Sequence, residues 1–254
     1  MNNLFKLAKQ LIMKHLMKIH IVIFLVICCC LSNCKNNSTS KSNSDDSMQP
    51  YDGYPFLSSK KDIIEHLRGR CIDTIKFKKG EIVADVGAGN GYIEAMLSIF
   101  HDSLTFYIQD IDTSVCNQKT INEVVNFYQK VNERPFTNKF IATKGADNET
   151  NLPDNTLDKI FMLWTYQYFK NPQAIITDLK SKLKDDGRMY IINPNIDYES
   201  SKQLTSKHGW NASPIEKEIS DILGCGFELI QISRNNYCCE NPYILVFKKK
   251  NHSN

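Results

Sequence analysis

Val83-Ala-Asp-Val-Gly-Ala-Gly-Asn-Gly-Tyr92 is the stretch whose reading decides the fold. It joins a short apolar run, Glu81 to Val86, to a helical pattern, Tyr92 to Phe100. An apolar run of that length suits a strand buried on both faces. Glycines at 87, 89 and 91 let the backbone turn tightly and approach a ligand without Cβ clashes. The helix start beyond them offers unpaired N–H groups to a polar or anionic ligand. Three alternating glycines are more than an ordinary strand–helix connection needs. The spacing D-x-G-x-G-x-G also differs from the G-x-G-x-x-G of a dinucleotide site. The third glycine comes one residue early, and Tyr92 stands where close helix–strand packing wants glycine. That disfavours a nicotinamide oxidoreductase.

Outward from this turn, helical and strand periods alternate. Upstream, Ser59 is placed to cap a helix with Ile63, Ile64 and Leu67 on one face, and Asp62 completes a capping box. Downstream, strands are predicted at Leu104–Gln109, Phe140–Thr143, Asp158–Trp164 and Arg188–Ile192. Ile121, Val124, Val125, Tyr128 and Val131 fall at helical spacing, and Pro172 opens a helix that runs to Leu183 and is broken by Gly187. Pro214 to Leu223 reads as a helix ended by Gly224 and Gly226. Phe227–Ile232 and Tyr243–Phe247 are final strands with no helix between them, so an antiparallel hairpin joins them. The expectation is one α/β Rossmann-like domain: a seven-stranded, mostly parallel sheet, helices on both faces, and a C-terminal antiparallel hairpin.

The turn with its strand and helix resembles motif I of the class I S-adenosylmethionine-dependent methyltransferases. Further matches follow in order. Asp110, in Tyr107-Ile-Gln-Asp-Ile-Asp112, ends the second strand about 20 residues past the turn. Gly145-Ala-Asp147 follows the third strand, and Asn151-Leu-Pro153 with Leu157-Asp158 resembles the family's lead into strand four. Lys182-Leu-Lys-Asp-Asp-Gly187 resembles the turn before strand five, with Asp-Asp-Gly where Pro-Gly-Gly is common. The resemblance covers residues 57–249 and implies S-adenosylmethionine as cofactor. It implies that Gly87, Ala88, Gly89 and Gly91 line the methionine part and that Asp85 helps hold its amino group. It also implies that Asp110 takes the ribose, with Ile111, Ala146 and Asp147 bordering the adenine.

Other segments are open to two readings. Trp164-Thr-Tyr-Gln-Tyr-Phe169 follows strand four and is either substrate wall or packing. Asn193-Pro194 is similar to a motif of amino-group methyltransferases but comes after the wrong strand; it reads as a strand-ending turn. His208-Gly-Trp210 lies in a surface loop. No catalytic base is assigned; Tyr166, Tyr168 and His208 are candidates by location alone.

The first 34 residues read as an address. Lys6, Lys9, Lys14 and Lys18 precede the apolar run Ile21 to Leu31, well short of the ~20 residues of a spanning helix. Leu31-Ser32-Asn33-Cys34 resembles a bacterial lipobox, with Cys34 as the lipidated residue; the competing reading is a short uncleaved membrane anchor. Residues 35–56 read as a flexible tether, and the domain spans 57–250. Such a signal implies a membrane-anchored domain facing away from the cytoplasm, or a cytoplasmic one if the signal is misread.

Composition narrows the partners. A formal net charge of +3, with no Lys/Arg stripe, gives no case for nucleic acid. Nine cysteines include four crowded at 28–34, and the other five (Cys71, Cys116, Cys225, Cys238, Cys239) show no regular spacing. Neither a disulfide framework nor a metal site is indicated. The function expected is methyl transfer to a small-molecule acceptor. The alternative is a non-catalytic cofactor-binding module held at a membrane.

Overall fold

Strand β1 (Ile82–Val86) carries the stretch quoted above into the middle of the sheet, with β2 (Thr105–Asp110) on one side and β4 (Leu157–Leu163) on the other, all parallel. The computed structural model describes residues 56–194, 214–234 and 242–250. Beyond β2 lies β3 (Lys139–Lys144); beyond β4 come β5 (Leu183–Asn193), β7 (Tyr243–Lys249) and β6 (Phe227–Arg234). The seven strands run in the order β3-β2-β1-β4-β5-β7-β6, and β7 is antiparallel to both neighbours. The expected hairpin is present, and its second strand wedges between β5 and β6.

Helices cover both faces, which explains why the strands read as continuous apolar runs rather than alternating ones. On one face α1 (Lys60–Gly69), α2 (Tyr92–Leu97) and α3 (Gln118–Asn132) pack Ile63, Met96, Val124 and Tyr128 against Val83, Phe106 and Phe161. On the other, α4 (Pro172–Lys182) and α5 (Ile215–Gly224) pack Ile176, Leu179 and Ile222 against Ala84, Ile160 and Met189. Ser59 caps α1, its Oγ accepting from Asp62 N–H at 3.5 Å. Asn117 and Asn171 cap α3 and α4 in the same way, and Pro172 opens α4 where its missing N–H costs nothing.

Two boundaries differ from the sequence reading. Helix α2 ends at Leu97, not Phe100, after little more than a turn and a half. Gly187 does not precede the fifth strand but lies inside it: β5 starts at Leu183, and its register against β4 shifts between Leu157 and Lys159. A Cβ at Gly187 would come within 2.7 Å of the Leu183 side chain, so the glycine permits this irregularity. Beneath β1, Lys159 and Glu81 form a largely buried ion pair that fixes β4 against the start of β1.

The address segment 1–34, most of the tether 35–56, His208-Gly-Trp210 and Cys238-Cys239 lie outside the described residues. Cys71, Cys116 and Cys225 are free thiols. Among the described residues no helix is long and apolar enough to cross a membrane.

Candidate functional site

A cavity of about 460 Å³ opens at the carboxyl ends of β1, β2 and β4. This is where the strand order reverses direction, and open α/β sheets place their ligands there. Of the residues predicted from sequence, Asp85, Gly87, Ala88, Asp110, Ile111, Ala146 and Asp147 line it. Gly89 and Gly91 are not among the lining residues.

The reason lies in how the turn is fastened. Gly87 and Ala88 N–H groups both donate to the Gln109 carbonyl, at 2.8 and 3.0 Å. Gly89 N–H donates to Asp110 Oδ2 at 3.0 Å, and Gly91 N–H to the Ala88 carbonyl at 3.3 Å. The glycine amides of the turn are therefore engaged within the protein, those of Gly87 and Gly89 on β2 and that of Gly91 on Ala88, and only the helix start beyond them is left to offer N–H groups to a ligand. What the glycines supply is conformation and room. Gly87 and Gly91 sit at φ 79° and 78°, in the left-handed region that disfavours any side chain. A Cβ on Gly87 would overlap the Thr165 side chain, and one on Gly91 would lie 2.8 Å from Ile108.

Asp110 is doubly engaged. Its Oδ2 accepts from Gly89 and its Oδ1 from Asp112 N–H at 2.9 Å, leaving a carboxylate's further lone pairs for a ligand. Asp147 reaches the cavity but is ion-paired to Lys170 at 2.8 Å, a partner the sequence did not suggest.

Asp85 is buried, and its carboxyl lies well above the usual range. Burial is the first cause, then the neighbouring Glu94 carboxyl, then Asp110. Glu94, on α2, is fully buried and pushed up to about 7, chiefly by burial. In the sequence it is one more position of the helix. The available signal was a carboxylate inside Ile93-Glu-Ala-Met-Leu97, where every other residue is apolar.

The segment after β4 forms the opposite wall. Trp164, Thr165, Tyr168 and Phe169 line the cavity. Trp164 is held at φ 58°, a strained backbone for a bulky residue. Two bonds hold it there: its N–H donates to the Ile192 carbonyl at 2.8 Å, and its carbonyl accepts from Gln167 Nε2 at 2.7 Å. Its indole Nε1 is buried without a hydrogen-bond partner among the described residues. The Arg70 guanidinium, at the end of α1, stacks 4.5 Å above the Trp164 ring and also lines the cavity. Sequence gave no hint of Arg70. Tyr166 turns the other way: it is fully buried in the core beneath α4, is not a cavity residue, and its hydroxyl is pushed far up by burial. Its candidacy as a base ends there, while the exposed Tyr168 remains at the cavity. Asn193 ends β5 with its side chain directed at Glu218, as a strand-ending residue rather than a cavity residue.

Comparison with known proteins fits this geometry. Residues 84–191 match the family model described as a methyltransferase domain. No curated protein matches the sequence. Among solved structures, a chain of the complex between the Haloferax volcanii Trm112 methyltransferase activator and a methyltransferase superposes with a TM-score of 0.60 at 11% identity, covering 77% of this chain and 94% of that one. A methyltransferase-like protein from Bacillus halodurans gives 0.55 at 10%, covering 77% and 100%. A SAM-dependent methyltransferase from Aquifex aeolicus gives 0.53 at 20%, covering 74% and 97%. The fold is that of these enzymes, and S-adenosylmethionine is the cofactor that a methyltransferase domain of this kind implies.

Proposed function

We propose that the chain, which carries a methyltransferase domain, binds S-adenosylmethionine in the cavity at the ends of β1, β2 and β4 and transfers its methyl group to a small-molecule acceptor. One observation carries this reading: the charge layout of the cavity. Two carboxyl residues, Asp85 and Asp110, line it from β1 and β2, and a guanidinium, Arg70, lines it from α1. An amino-acid zwitterion joined to a ribose needs that set: a carboxylate to accept from its ammonium, a cationic donor for its carboxylate, and a second carboxylate for the sugar hydroxyls.

In this assignment Asp85 holds the ammonium, Arg70 the carboxylate and Asp110 the ribose. Gly87 and Ala88 lie along the methionine chain, and Gly89 and Gly91 act indirectly by shaping the turn. Ile111 and Ala146 flank the adenine, and Asp147 bonds its edge once released from Lys170. Trp164, Tyr168 and Phe169 face the acceptor. The cofactor supplies a methyl group already activated as a sulfonium. The protein's task is to hold a nucleophile in line with it while excluding water. The stacked Trp164 and Arg70 serve both ends, closing the wall and fixing the charge.

We further propose that the address segment anchors this domain at a membrane through Cys34, on the face away from the cytoplasm. Mass spectrometry finding an unmodified Cys34 in a full-length chain would remove that placement. Calorimetry with S-adenosylmethionine, S-adenosylhomocysteine and NAD tests the cofactor. Binding of the first two and not the third is expected; binding of NAD alone contradicts the assignment. Turnover against pools of small-molecule acceptors then separates an enzyme from a module that only binds.

A further inference from the structure

Glu94 is the feature the assignment above leaves unused. It sits on α2 directly behind Asp85, and the two side chains are 0% and 2% exposed. Asp85 Oδ1 and both Glu94 carboxyl oxygens are buried and meet no side-chain partner among the described residues other than each other's carboxyl. No cation is among the groups acting on either carboxyl. Two adjacent carboxylates cannot both stay ionised in such a place without a counter-charge. The donor that the arrangement itself can provide is a carboxyl proton passed between them.

We infer that Asp85 and Glu94 form one receptor that holds a proton while the cavity is empty and gives it up to solvent when a ligand's ammonium group arrives. Glu94 is then a positioning residue that acts through Asp85. This rests on the cofactor reading above and deepens it, because it ties that site to pH.

The exchange balances: a carboxyl O–H bond breaks, its proton leaves to solvent, and the ammonium replaces it as the neutralising charge. The groups facing the pair act in a consistent direction. Asp110, from β2, adds negative charge and raises Asp85 further. Cys116, ahead of α3, has its thiol pushed up to about 11, by burial first and then by Asp110, Glu94 and Asp85, so it remains protonated and adds no charge. Arg70 lines the same cavity from α1, and His66 one turn before it is lowered to about 4 by burial and by Arg70, so it is neutral. Glu94 is therefore pushed up to about 7, and Asp85 is raised well above the usual carboxylate range. Ligand affinity rises with pH through that region, approaching about tenfold per pH unit for each proton released.

The test is calorimetric titration of the full chain in detergent with S-adenosylhomocysteine, in buffers of different ionisation heat, from about pH 6 to about pH 8. S-adenosylhomocysteine carries the ammonium but no sulfonium. 5′-Methylthioadenosine, which lacks the amino-acid part, is the control. The wild type is expected to release close to one proton near neutral pH with the first ligand and none with the second. Glu94→Gln is expected to bind within about tenfold of wild type at the upper pH, to release less than half as much, and to flatten the pH profile. Equal release by wild type and Glu94→Gln overturns the proposal, as does equal release with both ligands. Should Glu94→Gln fail to fold, infrared difference spectra of the wild type decide. A protonated-carboxyl band must disappear when S-adenosylhomocysteine binds, and an unchanged band overturns the proposal. If the wild type binds no S-adenosylhomocysteine at any pH, the cofactor assignment itself falls.

Discussion

Glu94 and Glu218 lie on opposite faces of the same sheet, are almost equally buried, and are both raised to about 7 with burial as the leading cause. Their surroundings differ. Glu218 Oε2 accepts from the Tyr243 hydroxyl at 2.6 Å, and Asn193 Nδ2 lies 3.2 and 3.3 Å from its two oxygens. Its bonds close a network that ties α5 to the ends of β5 and β7. Neither oxygen of Glu94 has such a partner, and the carboxyl beside it, Asp85, opens onto the cavity. A buried acid with its bonds made is structure; one with its bonds unmade, at the edge of a cavity, is the one to test for a ligand. The same charge cost is met on one side by the fold's hydrogen bonds and on the other, in the proposal above, by a proton that a ligand's ammonium group replaces.

The largest effect that follows is on Asp85. Asp85→Asn removes the acid that faces the cavity while keeping its shape. Cofactor affinity is expected to drop on the order of 100-fold, the loss of one charge-assisted bond, with the fold retained. Calorimetry and a melting curve read the two quantities separately. An unchanged affinity would make the cavity-side acid as structural as Glu218.

Next is the pH dependence of the ligand-free protein. Asp85, Glu94 and Glu218 all have folded values above their ordinary ones, so the folded state holds protons the unfolded chain has lost. Their contribution to stability is fully present below the ordinary carboxyl range and is lost as pH rises, for Glu94 and Glu218 from about 4.5 through about 7. For Glu218 alone the ceiling is about 3 kcal/mol. Urea midpoints at about pH 6 and about pH 8 are expected to fall with pH, and Glu218→Gln to flatten part of that slope. Coincident slopes for wild type and variant would contradict the assignment.

Tyr243→Phe sharpens the comparison from the structural side. It strips one bond from Glu218 and is expected to cost about 1–3 kcal/mol in urea unfolding while cofactor affinity stays within twofold, roughly 0.4 kcal/mol. The smallest effect belongs to Lys170→Ala. Its pair with Asp147 is exposed, so stability should move by less than about 1 kcal/mol, while the freed Asp147 leaves affinity unchanged or slightly better.

Much of this was legible in the sequence. The strands showed because burial on both faces makes them short apolar runs bounded by Gly, Asn and Pro, and motif I showed because its glycines are forced by geometry at Gly87 and Gly91. The use of the glycine amides was not legible, because it depends on where the Gln109 carbonyl and the Asp110 carboxylate fall across the sheet. Arg70 was invisible for the same reason: nothing local marks the residue that follows a first helix as a cavity cation, and only packing against Trp164 brings it there. Tyr166 and Tyr168 could not be told apart, since the short 3-10 turn Tyr166–Tyr168 sends one into the core and the other to solvent.

The most direct test is a crystal structure of the protein with S-adenosylhomocysteine bound. The account predicts the nucleoside between Ile111 and Ala146, its sugar on Asp110, its ammonium on Asp85 and its carboxylate toward Arg70. A nucleoside bound elsewhere, or one whose amino group points away from Asp85, would contradict it.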